Sequence, residues 1–198
     1  MMTKNSLPIS RKKAVEILTS MPQTDFDMAH YLMSEAVMRG VAHKLKKDED
    51  YWGMVGLLHD IDWALTKNDV QNHCVKCVDM LKKEGFDQHF IDIVQSHGFG
   101  YENIPKLKNE KRWHDIEHAL VASETLTGLI YAYALMRDGR VSDMTVKGLK
   151  KKFKDKTFAK GVNRDFIEEI DEVGIPLSDF LQIGIDSIRG IKSDIGLF

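Results

Sequence analysis

The sequence predicts an all-α protein, and three observations carry that reading. Apolar residues recur at helical spacing along most of the chain. No stretch of useful length alternates apolar and polar residues as a half-buried strand would. Ser, Thr, Asp or Asn stands ahead of most periodic segments, where a helix needs an N-cap. There is no internal repeat and no low-complexity segment.

The elements follow in order. Ser10 caps a short helix to Leu18, which Met21-Pro22 breaks, and Thr24 or Asp25 starts a long helix through His30 to about Lys46. Asp48 precedes a helix from Tyr51 to His59. A polar connection, Thr66 to Asp69, leads into a helix predicted from Val70 to Glu84 and stopped by Gly85. Asp87 starts the next, ending near His97-Gly98, and Phe99 to Lys111 reads as irregular because of Gly100 and Pro105. Leu120 to Met136 is the most apolar periodic segment and is read as the central buried helix. Beyond the Asp138-Gly139 turn come a basic run, Lys147 to Lys160, a helix from Asn163 to Val173, a turn at Gly174 and Pro176, and a last helix, Asp179 to Arg189, capped by Ser178.

Composition narrows the class. At 198 residues the chain is read as one domain, 1–198, with a core of about 24–137 and a helical C-terminal extension, 138–198. Apolar residues at 43% suffice for a buried core, and a net charge of -2 gives no reason to expect a nucleic-acid polymer or an anionic membrane as partner. Cys74 and Cys77 are too close in sequence to staple a fold and fit a reducing compartment. Met1 to Pro8 has no apolar run of signal-peptide length, and no segment approaches the roughly 20 apolar residues that span a bilayer. The expectation is a cytoplasmic protein.

The chemistry concentrates at Leu57-Leu58-His59-Asp60-Ile61-Asp62. A His and an Asp side by side at the end of an apolar run lose hydration unless a metal or a hydrogen-bond network compensates them. Imidazole and carboxylate donors suit Mn, Fe, Co, Ni or Zn, and one carboxylate can bridge two ions. His30 lies inside the second predicted helix, His73 and His97 follow near the ends of others, and Glu124 stands in the apolar segment Ala119 to Leu126. A buried carboxylate there is tolerable mainly when paired or metal-bound. No two of these residues are i and i+4 partners, so the site has to assemble where five helices converge.

With these residues in view, the chain resembles the HD-domain superfamily of metal-dependent phosphohydrolases. The family pattern is an isolated early His, a His-Asp doublet after apolar residues, and a later carboxylate, matched here by His30, by Gly56-Leu57-Leu58-His59-Asp60 and by Glu124. The likeness extends to small bacterial HD proteins of the HDIG type through His59-Asp60-Ile61-Asp62-Trp63, Glu124 to Ile130, and Lys151 to Arg164, and covers about Ser10 to Ile188. Glu124 departs from the pattern, since Asp is usual there.

The resemblance implies an HD-type helical bundle with one or two divalent transition-metal ions. His30, His59, Asp60 and Glu124 would bind the first, and Asp60, His73 and His97 the second. It further implies hydrolysis of a nucleotide or other small phosphorylated metabolite by metal-bound hydroxide, with Asp60 and Asp62 as the catalytic carboxylates, Asp62 orienting a ligand or the nucleophilic water. Lys67, Lys154, Lys156 and Arg164 are candidate contacts to substrate phosphate. Two rival readings stay open: an HD-fold diiron oxygenase and a non-catalytic nucleotide-binding regulatory module.

Other motifs are weaker. His114-Asp115 lies among Lys111, Arg112 and Glu117 and reads as a solvated helix start, and His114 with His118 lacks the Glu of a zinc-protease helix. Cys74-Val75-Lys76-Cys77 has no second pair and reads as buried or half-buried thiols, and His43 and His89 as surface residues. The seven lysines between Lys147 and Lys160 form a solvated face by default.

Overall fold

Capping chemistry sets the first three helices where the sequence places them. The computed structural model describes residues 6–198; residues 1–5, part of the stretch read as too polar for a signal peptide, lie outside the described residues. Helix α1, Arg11–Thr19, begins where the Ser10 side chain accepts from the Lys13 N–H. Helix α2, Asp25–Leu45, opens on a reciprocal box: Asp27 N–H donates to Thr24 Oγ1 (3.1 Å) and Thr24 N–H to Asp27 Oδ2 (2.9 Å). Asp48 caps α3, Glu49–Leu58, through Asp50 and Tyr51 N–H.

Helices α2 and α3 pack backbone to backbone. A Cβ added to Gly56 would lie 2.6 Å from the Ser34 carbonyl oxygen, so only glycine allows this approach. The close pairing brings His30 of α2 to the end of α3, where His59 and Asp60 sit.

After the short α4, Trp63–Thr66, the chain departs from expectation. The predicted Val70–Glu84 helix is a 3-10 turn, Val70–Asn72, then an extended His73 and a left-handed Cys74 (φ 59°), and only then α5, Cys77–Lys83. The fully buried Asp62 carboxylate accounts for the break: it accepts from His73 Nδ1 (2.9 Å) and from Cys77 N–H (3.0 Å). The Cys77 N–H thus donates to Asp62 in place of the His73 carbonyl it would reach in a continuous helix.

Helix α6, Gln88–Ser96, capped by Asp87, ends at His97 as expected. Helix α7, Asp115–Leu135, begins five residues before its apolar stretch because Glu117 accepts from the Trp113 and His114 N–H groups (2.7 and 3.0 Å). His114-Asp115 is therefore a helix start. Helix α8, Val146–Lys154, is followed by α9, Arg164–Glu168, whose continuation tightens into a 3-10 turn, Glu169–Val173. The last helix, α10, runs Leu177–Gly190 and starts directly after Pro176 without a side-chain cap.

Helix α7 packs against α2, α3 and α6 as well as α8, α9 and α10. Residues beyond 138 fold back onto it: Gly184 of α10 leaves room for Leu126 and Ile130 of α7, and Gly40 of α2 for Ser187 and Ile183 of α10. One contiguous core results, drawing in Leu18, Val37, Leu57, Ile91, Leu126, Phe180 and Ile195. A small separate cluster of Cys74, Ile104 and Leu107 lies under the 99–111 loop. No helix among the described residues is long and apolar enough to cross a membrane.

Candidate metal centre

The ends of α3 and α6, the middle of α2 and the bend after α4 bring four imidazoles around Asp60. His30 Nε2 and His59 Nε2 are 3.0 Å apart, and Asp60 Oδ2 is 3.6 and 3.5 Å from them. The tautomer of each ring is fixed from behind. The Thr127 hydroxyl donates to the Glu124 carbonyl (2.6 Å), so towards His30 Nδ1 (2.9 Å) it can only accept. His59 Nδ1 donates to the Gly56 carbonyl (2.8 Å). Both rings therefore carry the proton on Nδ1 and turn the Nε2 lone pair inwards, where the two lone pairs face one another. Such a contact is unfavourable without a cation between the nitrogens or a shared proton, and ligand imidazoles are held in the same way by carbonyl or hydroxyl partners.

The pattern repeats on the other side of Asp60. His97 Nδ1 donates to the Val94 carbonyl (2.6 Å) and His73 Nδ1 to Asp62 Oδ1 (2.9 Å). Their Nε2 atoms lie 3.3 Å apart, each 3.2 Å from Asp60 Oδ1. Asp60 thus offers one oxygen to each imidazole pair, the arrangement of a carboxylate shared by two ions. Asp62 touches His73 and the Cys77 N–H, and it acts on the centre by holding His73.

Charge follows this geometry. Burial holds His59 neutral, its pKa lowered to about 3, and lowers that of His30. A neutral imidazole is the form a metal requires. Burial alone would raise the Asp60 pKa, but the hydrogen bonds it accepts from His73 and His97 outweigh it and keep the carboxylate ionised. His73 is likewise buried, yet its bonds to Asp60 and Asp62 raise its pKa, so without an ion this end of the centre retains protons that a cation would displace.

Glu124 projects from α7 into a cavity of about 240 Å³ bounded by Phe26, His30, Asp60, Trp63, Tyr101 and Val162. An adjoining cavity of about 220 Å³ shares Asp60, Trp63, Tyr101 and Glu124 and reaches His73, Cys74 and His97. The Glu124 carboxylate lies outside the two sets of closely spaced donors found among the described residues, which are His30, His59, Asp60 and His73, Cys74, His97. Its Oε1 accepts from the Thr125 hydroxyl (2.6 Å), and burial raises its pKa to about 7. A carboxyl in that state gains from a facing cation.

The four basic candidates lie farther out. Lys67 donates to the Pro22 carbonyl (3.4 Å), and Lys154 is exposed at the end of α8. Arg164 donates to the carbonyls of Phe158, Ala159 and Val162 (2.6 to 2.7 Å), so its guanidinium closes the 155–163 turn. Lys156, with Lys160, lines a surface pocket that shares Gly161, Val162 and Asn163 with the main cavity.

Sequence reasoning missed Thr127, Tyr101 and the placement of Cys74. Thr127 has a signal in hindsight, since it stands three residues after Glu124 and donates back to that residue's carbonyl. Thr127→Val is expected to weaken metal binding at the His30 end about tenfold with the fold retained, because the hydroxyl that orients the ring is lost. Calorimetric titration of the metal-free protein with Mn checks this; unchanged affinity would remove Thr127 from the site.

Residues 28–121 match the family model for the HD domain. That span contains His30, His59, Asp60, His73 and His97 and stops three residues short of Glu124. No curated protein and no solved structure matches the chain.

Proposed function

We propose, from the HD domain matched by residues 28–121 and the resemblance to metal-dependent phosphohydrolases, that the chain hydrolyses a phosphoester of a small metabolite at a two-ion centre. The single observation that carries the reading is the position of Asp60, with one carboxylate oxygen towards His30 and His59 and the other towards His73 and His97. His30, His59 and Asp60, joined by Glu124, would hold one ion; Asp60, His73 and His97 would hold the other. When bound, such ions neutralise the phosphoryl oxygens and lower the pKa of a nearby water.

The chain's own groups supply the rest. Thr127, Gly56, Val94 and Asp62 fix the imidazole tautomers before substrate arrives, so no reorganisation is needed at the reacting centre. Glu124 would supply a further carboxylate donor from the cavity wall. The cavity favours a small substrate, and Phe26, Tyr31, Trp63 and Tyr101 offer flat apolar surface for a planar group such as a nucleobase. No Lys or Arg lines either cavity among the described residues, so the ions have to meet the phosphate charge, with Lys156 and Lys160 reaching it only from the rim.

The test is a screen of nucleotides, sugar phosphates and phosphodiesters against the metal-free protein reloaded with Mn, Co, Ni or Mg. Metal-dependent release of phosphate or of a monoester is expected. Tight nucleotide binding without turnover under every metal would replace the enzyme with a regulatory module, and oxygen consumption by iron-loaded protein would replace it with an oxygenase.

Glu124 gives a sharper prediction. Glu124→Gln should weaken Mn binding about tenfold or more, because an amide oxygen is a neutral donor, whereas Glu124→Asp should keep the ion. Equal affinity for wild type and Glu124→Gln in calorimetry would take Glu124 out of the centre.

A further inference from the structure

Cys74 is the unexpected member of the centre. Its Sγ lies 3.3 Å from His97 Nε2, the atom that also lies 3.3 Å from His73 Nε2, and the three side chains form a set whose donor atoms all lie within 4.8 Å of one another. The residue is fully buried from bulk solvent, yet it helps to bound the inner cavity beside Asp60 and Glu124. Cys77 differs: its thiol donates back to the Cys74 carbonyl (3.2 Å) and takes no part in the cluster.

The surroundings are shaped to this thiol. The Cys74 backbone is left-handed, and its carbonyl is held by the Gln95 side-chain amide (2.9 Å) as well as by Cys77. Opposite it, Gly98 leaves the space the side chain occupies: a Cβ there would lie 2.6 Å from Cys74 Sγ and 2.8 Å from its Cβ. The glycine after His97 thus lets the sulfur reach the same inward-facing nitrogen that a metal would use.

We propose that Cys74 is a metal ligand at the His73–His97 end, so that the centre pairs an imidazole–carboxylate site with an imidazole–thiolate–carboxylate site. The inference rests on the reading that His73 and His97 hold an ion. On binding, the Cys74 S–H bond breaks, a sulfur–metal bond forms and the proton leaves to solvent, with no change of oxidation state. Thiolate is the softer donor, so the two ends differ in preference: the Cys74 end holds Zn, Co or Fe more tightly than Mn, which it takes only near saturation, while the His30–His59 end discriminates less.

Cobalt titration of the metal-free full chain under a non-thiol reductant tests it. The expected result is two cobalt ions per chain and a near-ultraviolet sulfur-to-cobalt charge-transfer band that grows with one of them. Cys74→Ser should abolish the band and retain the cobalt at the His30–His59 end, while Cys77→Ser should leave the band in place. On the zinc-loaded wild type, X-ray absorption should detect a sulfur neighbour at about 2.3 Å, a readout that needs no variant. Two bound cobalt ions without the band, or a band that survives Cys74→Ser, would overturn the proposal and leave the two-ion reading intact. A chain that takes up no cobalt would overturn both.

Discussion

Asp60→Ala should empty both ends of the centre, lowering metal content from two ions per chain to none and activity by more than about 10³-fold. Removing a ligand exceeds the roughly 10- to 100-fold effects of removing a group that only orients one, and this carboxylate serves both imidazole pairs. Secondary structure should survive, because Asp60 caps no helix by its side chain and the core beneath it is apolar. His73→Ala should instead remove one ion. Metal analysis of the two variants, with circular dichroism as control, separates the roles. A one-ion Asp60→Ala protein would mean that Asp60 serves a single site.

The second large effect is expected from a residue with no side chain. Gly56→Ala puts a methyl group 2.6 Å from the Ser34 carbonyl oxygen and 3.0 Å from Met38 Cγ. The nearer obstacle is backbone in the middle of α2, which cannot swing aside as a flexible side chain could. Overpacking of this kind costs about 1–3 kcal/mol, and denaturant unfolding should register it. Metal affinity should fall as well, since forcing α3 away from α2 separates His59 from His30, whose nitrogens are 3.0 Å apart. Gly53→Ala is the contrast: the three atoms nearest the added methyl belong to the Arg39 side chain and none to the α2 backbone, so the helices need not separate and the centre should keep its ions. Equal stability and metal content for Gly56→Ala and wild type would show that the helices can separate without cost to the site.

The helices were legible because their signals are local. Ser10, Thr24, Asp48 and Asp87 each cap a helix at the residue where composition places them. The His-Asp doublet was legible for a different reason, since an ionisable pair after Leu57-Leu58 conflicts with burial unless something compensates it. What the sequence hides is tertiary. The segment 70–84 keeps helical periodicity, yet it breaks because a buried carboxylate eleven residues before His73 takes its hydrogen bond. Cys74 looked like an ordinary buried thiol, and only the Gly98 gap and the His97 ring give it a direction. Arg164 looked like a phosphate ligand, but which carbonyls face its guanidinium depends on how the 155–163 turn closes.

Manganese loading with electron paramagnetic resonance tests most directly whether Asp60 joins two ions. Two Mn ions sharing a carboxylate lie roughly 3.5–4 Å apart, close enough for their spins to couple. Two Mn per chain are expected at saturating Mn, with an exchange-coupled spectrum that collapses to an isolated-ion signal in His73→Ala. Two ions with uncoupled spectra, or a single ion at saturating Mn, would contradict the shared carboxylate.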